Sequence, residues 1–93
     1  MPHVLIIHDV ADYPAWKSLF DGAAGIRQAA GERSYQVLRD AHRPGRIVHL
    51  SVWTSHAAAR GFFESPLLVE IREKAGVSAP EFLYLDELES GDL

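Results

Sequence analysis

Apolar positions divide the chain into runs that suit strands and stretches that repeat at helical spacing. Residues 4–10 (VLIIHDV) are a short β-branched apolar run, which predicts a buried strand. Asp12 then offers an N-cap and Pro14 falls in the first turn, where a missing N–H costs nothing. Tyr13, Trp16, Phe20, Ala23 and Arg27 follow at three- and four-residue steps, joined by Leu19, Ile26 and Ala30, and predict one broad helical face closed by Gly31. Gly22 and Gly25 weaken that helix by about 1 kcal/mol each relative to alanine and suggest either a close neighbour or simple tolerance.

Residues 33–41 (RSYQVLRDA) predict a second strand and residues 47–54 (IVHLSVWT) a third, with Pro44-Gly45 marking the tip of the hairpin between them. Ser55 caps a helix carrying Ala57, Ala58, Ala59, Phe62 and Phe63. Ser65 and Pro66 are an N-cap and a first-turn proline that restart it. Leu67, Leu68, Ile71 and Ala75 give the restarted helix an apolar stripe that Gly76 ends, and residues 81–88 (EFLYLDEL) predict the fourth strand.

The order β-α-β-β-α-β is that of an α+β, ferredoxin-like sandwich: a four-stranded antiparallel sheet with helices on one face and the first and third strands central. These strands are apolar on both sides, Leu5 and Ile7 opposing Val4 and Ile6, and Val48, Leu50 and Val52 opposing Ile47 and Trp53. Helices on one face leave the other to meet something apolar. The simplest cover is the same face of a second copy, which predicts a homodimer closed as a barrel.

Length and composition narrow the function classes. Ninety-three residues make a single domain, residues 1–93, with 47% hydrophobic residues, ample for a core. A net charge of −4 with an acidic C-terminal tail argues against nucleic acid; Arg39, Arg43 and Arg46 read as a solvated turn. No cysteine is present, so neither disulfides nor thiolate chemistry enter. The opening residues carry no basic segment, and residues 4–7 are too short an apolar run for a signal or membrane helix. The expectation is a cytoplasmic protein with no membrane partner.

Two histidines are the candidate chemistry. His8 alternates with Val4, Ile6 and Val10, and His49 with Ile47, Ser51 and Trp53. If those are the helix-facing sides, the imidazoles are cross-strand neighbours, either an acid–base pair near neutral pH or core histidines satisfied by neighbours. They make no metal site, since His3, His42 and His56 belong at strand ends and in the turn. Trp16, Phe20 and Phe63 either line a cavity for a flat apolar ligand or are simply core. Arg27 either neutralises a ligand anion or snorkels at the core's edge, and Arg72 stands in the same position. No serine- or cysteine-based triad and no phosphate loop is readable.

Residues 8–17 (HDVADYPAWK), Phe20-Asp21, Arg27, Gly31, Val52-Trp53, residues 63–67 (FESPL) and residues 75–77 (AGV) together resemble the dimeric α+β barrel superfamily, and within it the small proteins grouped with antibiotic biosynthesis monooxygenases. The resemblance spans nearly the whole chain. It implies a site between sheet and helices, with Trp53 lining it from the third strand and His8 from the first. Through Trp53 it also selects the helix-facing side for both histidines. The heme-degrading branch carries a histidine where this chain has Arg72, so heme is not implied, and no cofactor is expected. Two functions follow as expectations. One is a cofactor-free oxygenase or isomerase on a small aromatic or polycyclic acid of polyketide type, with His8 as base, alone or together with His49, Arg27 as charge partner and Trp16, Phe20, Trp53, Phe63 and Arg72 around the substrate. The other is a ligand-binding protein of the same fold without turnover.

Overall fold

The structure, a computed structural model, describes residues 2–74 and 76–93. Its elements run β1 (Pro2–Val10), α1 (Tyr13–Gly22), α2 (Ala24–Ala30), β2 (Glu32–Asp40), β3 (Arg43–Trp53), α3 (His56–Phe63), α4 (Pro66–Lys74) and β4 (Val77–Asp86). The four strands form one antiparallel sheet in the order β2-β3-β1-β4, the ferredoxin-like arrangement expected, with β1 and β3 central.

Strand alternation decides the faces. Val4, Ile6, His8 and Val10 of β1 and Ile47, His49, Ser51 and Trp53 of β3 are buried under the helices. The opposite face carries Leu5, Ile7, Val48, Leu50 and Val52, all half-buried, with Leu38, Leu83 and Leu85 exposed on the outer strands. The helix-side core has two parts. Val4, Ile6, Trp53, Ala59 and Phe63 form one cluster, and Val10, Trp16, Phe20 and Ile47 the other.

Caps fall where the sequence places them. The Asp12 carboxylate accepts from the Ala15 N–H at 3.3 Å and the Ser55 hydroxyl oxygen from the Ala58 N–H at 3.0 Å. Several boundaries differ from expectation. The first helix is broken at Ala23, whose N–H is shared between the Leu19 and Phe20 carbonyls. Gly22 and Gly25 flank this break, and a Cβ on either would meet nothing within 4 Å, so no neighbour requires them to be glycine.

The hairpin turns at Ala41-His42, where the Asp40 carboxylate accepts from the His42 N–H at 2.8 Å. Pro44-Gly45 is not the tip: the pairing jumps from Arg39–Ile47 to Asp40–Arg43, so residues 44–46 bulge from β3 where a missing N–H is tolerated. The fourth strand begins at Val77 and ends at Asp86 rather than running over 81–88, and Leu88 is exposed beyond it. Ala75, expected on the stripe of α4, lies outside the described residues.

Gly31 sits at φ 128°, and a Cβ there would come within 2.6 Å of the Thr54 hydroxyl oxygen. Its carbonyl accepts from the Thr54 N–H at 2.9 Å. This close contact docks the start of β2 against the end of β3 and places Glu32 opposite Trp53.

Candidate functional site between helices and sheet

A cavity of about 60 Å³ opens between the two core clusters. The sheet contributes Ile6, His8, His49 and Phe82 to its wall, the first helix pair Trp16, Phe20 and Arg27, and α3 and α4 Phe63, Leu68 and Arg72. Of the residues expected at the site, all but Trp53 meet here. Trp53 is fully buried in the adjoining cluster instead, its indole N–H donating to the Ser51 hydroxyl oxygen at 2.8 Å and its ring packing edge-on against Phe63.

The two histidines occupy adjacent central strands but not opposed positions, since Ile6 pairs with His49 and Ile47 with His8. Their surroundings differ. His8 is only 5% exposed, lies beside the Trp16 ring, and has an Nδ1 with no hydrogen-bond partner among the described residues. The β1–β4 pairing slips at this point, between Ile7 and Asp9. Burial first, then the nearby His49 and Arg72, push the His8 pKa down to about 4. It is therefore a neutral imidazole at physiological pH.

His49 is bound to a carboxylate. Its Nε2 lies 2.9 Å from Glu32 Oε2, while Arg27 Nε donates to Glu32 Oε1 at 2.6 Å, all three side chains being buried. The Arg27 guanidinium also donates to the Phe20 carbonyl and stacks on the Phe20 ring, 3.7 Å from its centroid. Burial alone would raise the Glu32 carboxyl, but hydrogen bonds and charge from His49 and Arg27 outweigh it and hold the group below its ordinary value. Arg27 is thus committed to Glu32 and the Phe20 carbonyl.

The other cation at the wall, Arg72, has no carboxylate partner among the described residues. It donates to the Phe63 carbonyl at 3.1 Å and lies over the Phe82 ring, and burial lowers its pKa. Chemically, the cavity offers apolar aromatic walls, a neutral imidazole, a carboxylate-linked imidazole and one cation free for an anion. Among the described residues, no group of three or more potential ligands could hold a metal ion.

Glu32 is the site residue that the sequence hid. It precedes the predicted second strand, and a bulge between Glu32 and Ser34 turns it to the same face as Tyr35. In a regular strand residues three apart face opposite ways, so alternation gave no signal for it.

Residues 14–74 match the sequence profile of the antibiotic biosynthesis monooxygenase family. No curated protein matches the chain at a comparable level. Among solved structures, SnoaB, a cofactor-independent oxygenase from Streptomyces nogalater, superposes with a TM-score of 0.78 at 18% identity, over 96% of this chain and 94% of that one. Rv0793 from Mycobacterium tuberculosis superposes with a TM-score of 0.67 at 21% identity, over 99% and 100%. At these identities the superpositions speak for the fold; the profile match, over well more than half of the chain, places the protein in the antibiotic biosynthesis monooxygenase family.

Proposed function

We propose that this protein is a cofactor-independent monooxygenase-like enzyme acting on a small aromatic substrate with an acidic C–H or phenol. The observation that carries the reading is the pair of buried imidazoles at the wall of an apolar cavity, with Arg72 nearby and no carboxylate opposing it among the described residues. An imidazole removes a proton from the substrate. The anion so formed is balanced by Arg72 and held away from water. Dioxygen is the oxidant: a methylene carbon loses two hydrogens and gains one oxygen atom as a carbonyl, and the second oxygen atom leaves as water.

At about 60 Å³ the cavity is smaller than pockets that hold drug-sized ligands, so a substrate of more than one ring requires a wall to move. The mobile wall in this reading is α4, which buries only Leu68 and turns Leu67 and Val69 to solvent. The apolar open face of the sheet is covered by a second copy, giving a cytoplasmic homodimer. No helix among the described residues is long and apolar enough to cross a membrane.

The second reading, a ligand-binding protein without turnover, is favoured by the pKa of about 4 at His8, which makes that imidazole a weak base. Oxygen consumption with a panel of one- to three-ring phenols and benzylic ketones separates the two. Uptake with wild type that falls by about tenfold or more in Arg72→Met supports the enzyme. Saturable binding without uptake across the panel supports the carrier and refutes the enzyme.

A further inference from the structure

We propose that Glu32 is a positioning residue that fixes the tautomer of His49, so that His49 rather than His8 is the base of this cavity. The role as base rests on the enzymatic reading above; the tautomer does not.

Glu32 spans Arg27 and His49 with its two oxygens, 2.6 Å from Arg27 Nε and 2.9 Å from His49 Nε2. An ionised carboxylate accepts hydrogen bonds and donates none. The contact with His49 therefore requires the proton on Nε2, and the neutral ring keeps its lone pair on Nδ1. Arg27 serves this arrangement indirectly. Its guanidinium, locked by the Phe20 carbonyl and ring, keeps the charge on Glu32.

The charge balance then assigns the two histidines different tasks. Arg27 and Glu32 form a buried ion pair whose charges cancel. When a substrate proton moves to His49 Nδ1, its bonding pair stays on the substrate. The imidazolium lies against the Glu32 carboxylate while the substrate anion faces Arg72. His8 has no carboxylate partner among the described residues. Among the described residues, the groups acting on its charge are His49 and Arg72, both of which oppose a positive charge, and the Trp16 ring lies beside it. It can hydrogen-bond a substrate oxygen but gains nothing by taking a proton.

The test is ring-nitrogen NMR on the whole chain, ligand-free, with labelled histidine, at pH 8, for wild type and Glu32→Ala. The expected wild-type signal for His49 is a single neutral form protonated at Nε2. In Glu32→Ala that preference is expected to collapse to a mixture of tautomers. A wild-type His49 protonated at Nδ1, as the other tautomer or as imidazolium, overturns the proposal, and so does an unchanged tautomer in a folded Glu32→Ala. If that variant does not fold, the wild-type spectrum decides alone. Should a substrate be turned over, Glu32→Gln is expected to lower kcat by about tenfold or more with little change in KM. A locked tautomer in a protein without turnover would sink the enzymatic reading and leave the positioning intact.

Discussion

Acid should destabilise this protein through His8 before its carboxylates titrate. The imidazole has an ordinary pKa of 6.5 in the unfolded chain and about 4 in the folded one, where it is buried beside Trp16 with His49 and Arg72 near. Between those values the unfolded state binds more protons, so stability is lost as pH falls from 6.5 through 4. The full difference corresponds to about 3.4 kcal/mol. Between pH 7 and pH 5 most of the unfolded histidine becomes protonated while the folded one stays neutral, and the loss is about 2 kcal/mol.

That is a measurable share of the stability of a chain this size. Urea unfolding at the two pH values, at one fixed protein concentration, reads it directly. His8→Leu keeps an apolar side chain at the site and removes the titration. Its absolute stability can differ from wild type in either direction, but its loss between pH 7 and pH 5 should be smaller by about 2 kcal/mol. Equal losses in wild type and His8→Leu, within about 0.5 kcal/mol, would refute the burial argument, because the remaining histidines are common to both proteins.

Two other perturbations probe the cluster and the open face. Arg27→Met strands the buried Glu32 carboxylate and should cost about 3–5 kcal/mol in urea unfolding, whereas Arg27→Met with Glu32→Leu should cost less than the two single changes added, with a coupling of about 1–3 kcal/mol; strict additivity would mean the pair is not an interacting unit. Leu50→Glu places a charge at the centre of the apolar sheet face and should convert a dimer to monomer in sedimentation at micromolar concentration; a wild type that is already monomeric there would show that the face is not a self-association surface.

Much of the architecture is written locally. Asp12 and Ser55 cap helices because their short side chains reach the first free N–H groups, and the strands are placed by apolar runs that no loop would tolerate. What escaped is what depends on irregular pairing. Pro44-Gly45 looks like a turn tip, yet a bulge can hold a proline as easily as a turn can, and the Asp40 side chain settles the true tip two residues on. Trp53 shares a face with His49, as alternation requires, but which aromatics border a cavity and which close the core depends on how α3 lies over the sheet. Glu32 could not be placed at all, because its inward orientation comes from a bulge whose partner register is set by Gly31 against Thr54.

The same irregularities explain why two histidines on one face of one sheet are not equivalent. In a regular sheet His8 and His49 would be diagonal neighbours on β1 and β3 with similar surroundings, and either could be named the base. The outer strands break that symmetry. At His49 the bulge in β2 brings a carboxylate to the ring, and Arg27 of α2 helps hold that carboxylate charged. At His8, where the β1–β4 pairing slips, Nδ1 has no hydrogen-bond partner among the described residues, and burial, His49 and Arg72 all lower the pKa. One ring thereby faces a carboxylate, while the Nδ1 of the other has no hydrogen-bond partner among the described residues. An acid–base site needs that separation, and a closely packed structural core does not.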